Sequence, residues 1–141
     1  MKALVDTSIW SLAFRRQSPN LDSRQLKLKT LLSSLIDDGR IVMIGPVRQE
    51  LLSGIRDQDQ FRELRGSLAH FLDFQLRTSD YERAAEMSNA CTSKGIANTP
   101  TDMLICSVAH AQGIGILTTD RDFAAYAQCV PIKLFGDDME S

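Results

Sequence analysis

The sequence is poor in the side chains that soft metals need: it has two histidines, His70 and His110, and three cysteines, Cys91, Cys106 and Cys129, with no C-x-x-C pair. A zinc site is therefore not expected, and the three thiols read as reduced and structural. No run approaches the roughly 20 apolar residues that a membrane-spanning helix requires. Met1 to Asp6 also lacks the apolar stretch of a signal peptide, so the expected location is the cytoplasm, with no membrane partner. No glycine-rich phosphate turn and no D-x-D loop follows the first apolar run, where Asp6-Thr7-Ser8-Ile9 stands instead. That argues against nucleotide-binding and phosphatase α/β domains. Glycine (8) and proline (4) are scattered, and no repeat, linker or low-complexity tract marks a boundary.

A basic excess is missing too, since the formal net charge is -2, whereas phosphate binding usually leaves a basic footprint. The average hides an asymmetry. Residues 1–77 hold 12 Lys and Arg against 9 Asp and Glu, and residues 78–141 hold 4 against 9, so +3 and -5 make up the total of -2. A basic half beside an acidic half suits an enzyme that grips phosphates with one surface and cations with another.

What the chain does have is length and apolar content enough for one core: 141 residues, 43% of them hydrophobic, read as a single domain over 1–141. Ala3-Leu4-Val5 predicts a short buried strand ending at Asp6, with Thr7 or Ser8 as N-cap of a helix through Ile9, Trp10, Leu12 and Phe14. Trp10 and Phe14 share a face of that helix and are expected in the core. Leu26 to Ile36 repeats at helical spacing, and Ile41 to Ile44 predicts a second strand. Pro46 opens a helix carrying Glu50 and closing before Gly54, and Phe61 to Phe71 marks another. Phe74-Gln75-Leu76 is a third strand, and Ser79 with Glu82 forms a capping box ahead of a helix that stops at Gly95. Thr99-Pro100-Thr101-Asp102 opens a nearly all-apolar helix to Gly113. Ile116-Leu117-Thr118, a helix from Asp120, and Ile132-Lys133-Leu134 complete the series. Apolar strands alternating with helices predict a three-layer α/β/α sandwich with a central parallel sheet.

Ligands in such sheets bind beyond the carboxyl ends of the strands, which singles out Asp6 in L-V-D-T-S and Asp120 in L-T-T-D-R-D-F. Helix capping accounts for either aspartate alone. Asp102 adds a third acid, in the first turn of the most apolar helix, where capping and ligand roles can coexist. Carboxylates gathered in one cleft repel unless a cation neutralises them, and an oxygen-only donor set points to Mg²⁺, with Mn²⁺ as substitute. Phosphodiester hydrolysis is the natural reaction for such a centre.

The four segments L-V-D-T-S, P-V-R-Q-E-L-L-S-G, T-P-T-D-M-L-I-C-S-V-A-H and L-T-T-D-R-D-F, in this order along nearly the whole chain, resemble the motifs of PIN-domain nucleases, especially VapC toxins of type II toxin-antitoxin systems. Cys106-Ser107 stands where that family more often has alanines. The resemblance implies a metal-dependent endoribonuclease whose acidic positions are Asp6, Glu50, Asp102 and Asp120, with Asp122 as auxiliary and Thr7, Ser8 or Thr119 as hydroxyl support. It also implies a homodimer, a VapB-like antitoxin partner, and structured RNA such as tRNA or rRNA as substrate. Arg15, Arg16 and Arg48, close in sequence to the first two acidic motifs, are candidates for RNA phosphate contacts. Two other readings share the fold: a binding module for RNA or protein without turnover, and an RNA-processing nuclease that is not a toxin.

Overall fold

Ala3, Leu4 and Val5 are all fully buried, which a three-residue strand achieves only when both its faces and both its edges are covered. In the computed structural model, which describes residues 1–14 and 20–136, this strand, β1 (Ala3–Val5), sits inside a four-stranded sheet. The others are β2 (Ile41–Ile44), β3 (Asp73–Phe74) and β4 (Gly115–Leu117), in the order β3-β2-β1-β4 and all parallel. Ala3 aligns with Ile41 on one side and Gly115 on the other. With α1 (Thr7–Phe14), α2 (Ser23–Asp37), α3 (Gly45–Leu52), α4 (Gln58–Leu68), α5 (Thr78–Ser93), α6 (Pro100–Gln112) and α7 (Asp122–Tyr126) around it, the fold is the expected α/β/α sandwich. No described helix is long and apolar enough to cross a membrane.

The helix that matters most for the site is α6. Met103 to Ala109 are buried without interruption, and each large aliphatic side chain among them contributes about 1.5–3 kcal/mol of burial. Its ends follow the local chemistry: Thr99 Oγ1 accepts the Asp102 N–H at 3.1 Å, and Gly113 terminates the helix with φ 66°, a left-handed conformation that glycine adopts without strain. Helix α5 lies along α6 and is anchored by Asp80, which is buried. The Asp80 carboxylate accepts the Arg77 N–H at 2.9 Å and Arg83 Nη1 at 3.1 Å, while Ser107 Oγ donates to the Asp80 carbonyl at 2.7 Å. This replaces the expected Ser79–Glu82 capping box, because the helix begins one residue earlier, at Thr78.

Three further expectations are corrected. The third strand is Asp73–Phe74 rather than 74–76. The segment at 132–134 forms only an isolated parallel bridge, Leu134 to Ile116, flanked by Ile116 N–H to Lys133 O at 2.9 Å and Phe135 N–H to Ile116 O at 2.7 Å. A Cβ on Gly115 would stand 3.1 Å from the Phe135 Cα, so any larger residue there would require the returning chain to give by a few tenths of an ångström. Cys91 and Cys129 are paired rather than both reduced, with Cα atoms 5.6 Å apart, since α5 and the turn after α7 meet across 38 residues of sequence. Cys106 alone is free, buried in α6.

Trp10 is fully buried, as expected, and its Nε1 donates to Val5 O at 3.1 Å. Phe14 stacks on it at 5.8 Å but is 38% exposed, because it stands one turn further out, on the rim of a groove with Ile36, Ile41, Met43 and Phe71.

Candidate metal centre

The aspartates of interest stand where strands end or a helix begins. Asp6 follows β1 directly, and its Oδ2 accepts Ser8 Oγ at 2.8 Å, Thr118 Oγ1 at 2.8 Å and the Ser8 N–H at 3.3 Å. It therefore caps α1 itself, in place of the expected Thr7 or Ser8, while remaining 4% exposed. Those donors stabilise a carboxylate that burial would otherwise penalise. Thr118, just beyond β4, ties the two strand ends together, since its Oγ1 also accepts the Asp120 N–H at 2.9 Å. Ser8 Oγ accepts the Thr119 N–H at 3.0 Å, a second link between the same loops.

Asp102, Asp120 and Asp122 each place one carboxylate oxygen within 4.8 Å of the others. Asp120 Oδ1 accepts the Asp122 N–H at 2.9 Å, which orders the turn into α7. Asp102 Oδ2 accepts Tyr126 Oη at 2.6 Å, a bond from the far end of the same short helix. Burial raises the Asp102 carboxyl above its ordinary value of 3.8; the Asp6 and Asp120 charges add to this, and the hydrogen bonds from Tyr126 and Thr99 oppose it. Burial and the neighbouring Asp102 likewise hold the Tyr126 phenol above its usual range. Burial and the charges of Asp102 and Asp6 push the Cys106 thiol up to about 12.

The sequence singled out Asp6, Asp102, Asp120 and Asp122, and the fold gathers them at one end of the sheet. Glu50, on α3, is exposed and lies outside the three-carboxylate group. Among the hydroxyls, Ser8 and Thr118 bond to Asp6, whereas Thr119 contributes its N–H and Thr7 Oγ1 is buried without a partner among the described residues. Thr118 and Tyr126 went unnoticed in the sequence. Thr118 had a signal, being the first of two threonines before Asp120; Tyr126 had none, because its partner is 24 residues away.

The arginines expected to meet phosphate fare differently. Arg15 and Arg16 lie outside the described residues. Arg48 is corrected: its guanidinium is used internally, donating to Leu68 O at 2.8 Å, to Phe71 O, and to Asp73 Oδ1 at 3.0 Å. It clamps the turn between α4 and β3 rather than reaching toward the acids.

Three carboxylates converging beside a fourth, buried one form a donor set made only of oxygens, which fits a hard divalent cation and not a soft one. The Arg48–Asp73 and Arg83–Asp80 ion pairs involve other acids. A family model, PIN domain, matches residues 3–128. The chain belongs to the PIN domain family. No curated protein matches the sequence. Among solved structures, this PIN chain resembles VapBC2 from Rickettsia felis bound to a promoter DNA fragment, with TM-score 0.73, 18% identity, and 95% of this chain and 97% of that chain covered. It also resembles FitAcB from Neisseria gonorrhoeae (TM-score 0.67, 18% identity, 94% and 96% covered). A third is VapBC-5 from Mycobacterium tuberculosis, described as a member of the VapBC family of toxin-antitoxin systems (TM-score 0.66, 19% identity, 94% and 96% covered). At these identities the likeness shows the PIN fold.

Proposed function

We propose that this PIN chain is a metal-dependent endoribonuclease, the VapC-like toxin of a toxin-antitoxin pair, acting on tRNA or rRNA in the cytoplasm. The observation that carries the reading is the convergence of Asp102, Asp120 and Asp122 within 4.8 Å, beside a buried Asp6, at the carboxyl end of a parallel sheet. Asp6, Asp102 and Asp120 would hold Mg²⁺, or Mn²⁺ in its place, with Asp122 as auxiliary; Glu50, the fourth acid that the resemblance implies, lies outside the three-carboxylate group. A bound divalent cation supplies polarisation of the scissile phosphate and a lowered pKa for water.

The chain's own residues do the rest. Ser8 and Thr118 fix Asp6, and Tyr126 fixes one oxygen of Asp102, so these carboxylates are positioned before any ligand arrives. Asp120 and Asp122 are exposed, on the side from which a strand of RNA can approach. Water oxygen bonds to phosphorus, the P–O3′ bond breaks, and the 3′ oxygen takes a proton, leaving a 5′-phosphate and a 3′-hydroxyl.

A VapB-like antitoxin is the proposed partner and a homodimer the proposed assembly. The apolar groove of about 640 Å³ beside Phe14, Ile36, Met43 and Phe71, with Leu72 91% exposed on its rim, suits the apolar face of a partner helix. The same fold could hold RNA or protein without turnover, or process RNA without being a toxin. Purified chain freed of partners should cleave a subset of RNAs in Mg²⁺ or Mn²⁺ and stop in EDTA, with the new ends read by sequencing. Equal cleavage in EDTA would end the metal-dependent reading, and binding with no cleavage in any divalent ion would favour the inert module.

A further inference from the structure

A carboxylate centre repels the RNA it is meant to cut, so a phosphodiester strand needs cations close by that are not already used. The guanidiniums of Arg48 and Arg83 do not meet that need, being bonded within the fold. A cavity of about 420 Å³ between α2, the end of β4 and the returning segment at 134–136 does. It shares Thr118, Thr119 and Asp120 with the acidic centre, and its lining includes Arg24, Lys27 and Arg121. Arg24 and Lys27 are one helical turn apart on α2, hence on the same face. Arg121 directly follows Asp120. All three residues are exposed, and no hydrogen bond or ion pair occupies their side chains among the described residues.

We propose, resting on the nuclease reading above, that this cavity is an RNA backbone subsite, where Arg24, Lys27 and Arg121 hold the phosphates next to the one that reaches the acids. The cavity's size falls within the range of small-ligand sites, about 300–1,000 Å³, so it is a recess and not a flat basic surface. Asp120 belongs to its lining, and β4 is the edge strand opposite β3, so the proposed path lies on the β4 side of the sheet, away from Arg48, which is bonded to Asp73 of β3. The bonds made there go to phosphate, so they add affinity without reading sequence.

The test is binding of a fluorescein-labelled decaribonucleotide, followed by anisotropy in EDTA from 50 to 200 mM salt, using the wild-type chain, Arg24→Ala/Lys27→Ala, and Arg56→Ala/Arg62→Ala as a charge-matched control near α4. For single strands the slope of log K against log salt becomes shallower by about 0.7 for each phosphate that is no longer neutralised by a cationic side chain. The Arg24→Ala/Lys27→Ala variant should therefore show a slope shallower by about 1.4, with the control unchanged. In Mg²⁺ the same variant should raise KM by about 10-fold and leave kcat within about twofold, as expected when only uniform binding is weakened. A slope equal to wild type, or an equal loss in the control, overturns the subsite. If wild type still cleaves RNA in that case, the nuclease reading stands alone; if wild type neither binds nor cleaves, both fall.

Discussion

The two strand–helix junctions that carry Asp6 and Asp120 are alike in sequence and opposite in construction. In L-V-D-T-S, Asp6 is 4% exposed and its Oδ2 takes three donors. In L-T-T-D-R-D-F, Asp120 is exposed and its carboxylate receives one backbone N–H, from Asp122. The first aspartate is immobilised by the fold; the second faces solvent on a turn that leads into a helix of five residues. In the proposed metal centre the two acids would divide the work, one as a fixed reference and one as the side open to ligand. Burial and donor count, rather than the identity of the motif, assign the parts.

That contrast can be broken at its strongest point first. Asp6→Asn should lower RNA cleavage by about 100-fold or more, the usual scale for removing a key transition-state interaction, while circular dichroism shows the fold retained. Asp120→Asn should cost less than Asp6→Asn in the same assay. Equal rates for Asp6→Asn and wild type would show that the buried acid is a cap and nothing more.

Thr118→Val probes the link between the junctions. It removes a donor to a buried carboxylate and an acceptor for the Asp120 N–H, and hydrogen bonds to charged groups contribute about 1.5–3 kcal/mol. Urea unfolding should show a loss in that range. Thr119→Val, which keeps the N–H to Ser8, should show almost none, and equal losses would erase the distinction drawn between the two threonines.

The smallest effect concerns Asp102, which stands between the two. Its folded-state carboxyl is raised above 3.8, so the folded chain keeps this proton to higher pH than the unfolded chain does. Any stability from that proton is full below the unfolded value and is lost as pH climbs through the raised one. In EDTA at pH 7, Asp102→Asn should therefore melt higher than wild type, and the gain should vanish at acid pH. A lower melting temperature at pH 7 would mean that the charged form is favoured by the fold.

What was legible in the sequence was local. The Thr99 cap, the Gly113 stop and the buried strand at 3–5 depend on neighbours within a few residues, and the parallel sheet followed from apolar runs alternating with helices. The acids at positions 6, 102 and 120 could be picked because each sits beside a strand end or a helix start, whereas Asp122 came from the resemblance to PIN-domain nucleases. What stayed hidden depends on partners far along the chain: Tyr126 on Asp102, Arg48 on Asp73, Cys91 on Cys129. Thr119 was named as hydroxyl support and Thr118 was not, because which hydroxyl turns toward Asp6 is decided by where β4 ends relative to β1. Phe14 was misplaced because helical spacing gives a face but not the height at which the covering layer stops.

One wall of the cavity beside Asp120 owes its position to an atom that is missing. At Gly115 the chain returning through Phe135 passes so near β4 that a single added methyl would have to displace its backbone. The smallest residue in the sheet thereby governs the width of a recess one strand end away, and a change from glycine to alanine, invisible to any count of charges or acids, would be felt where neither residue makes a bond to a ligand.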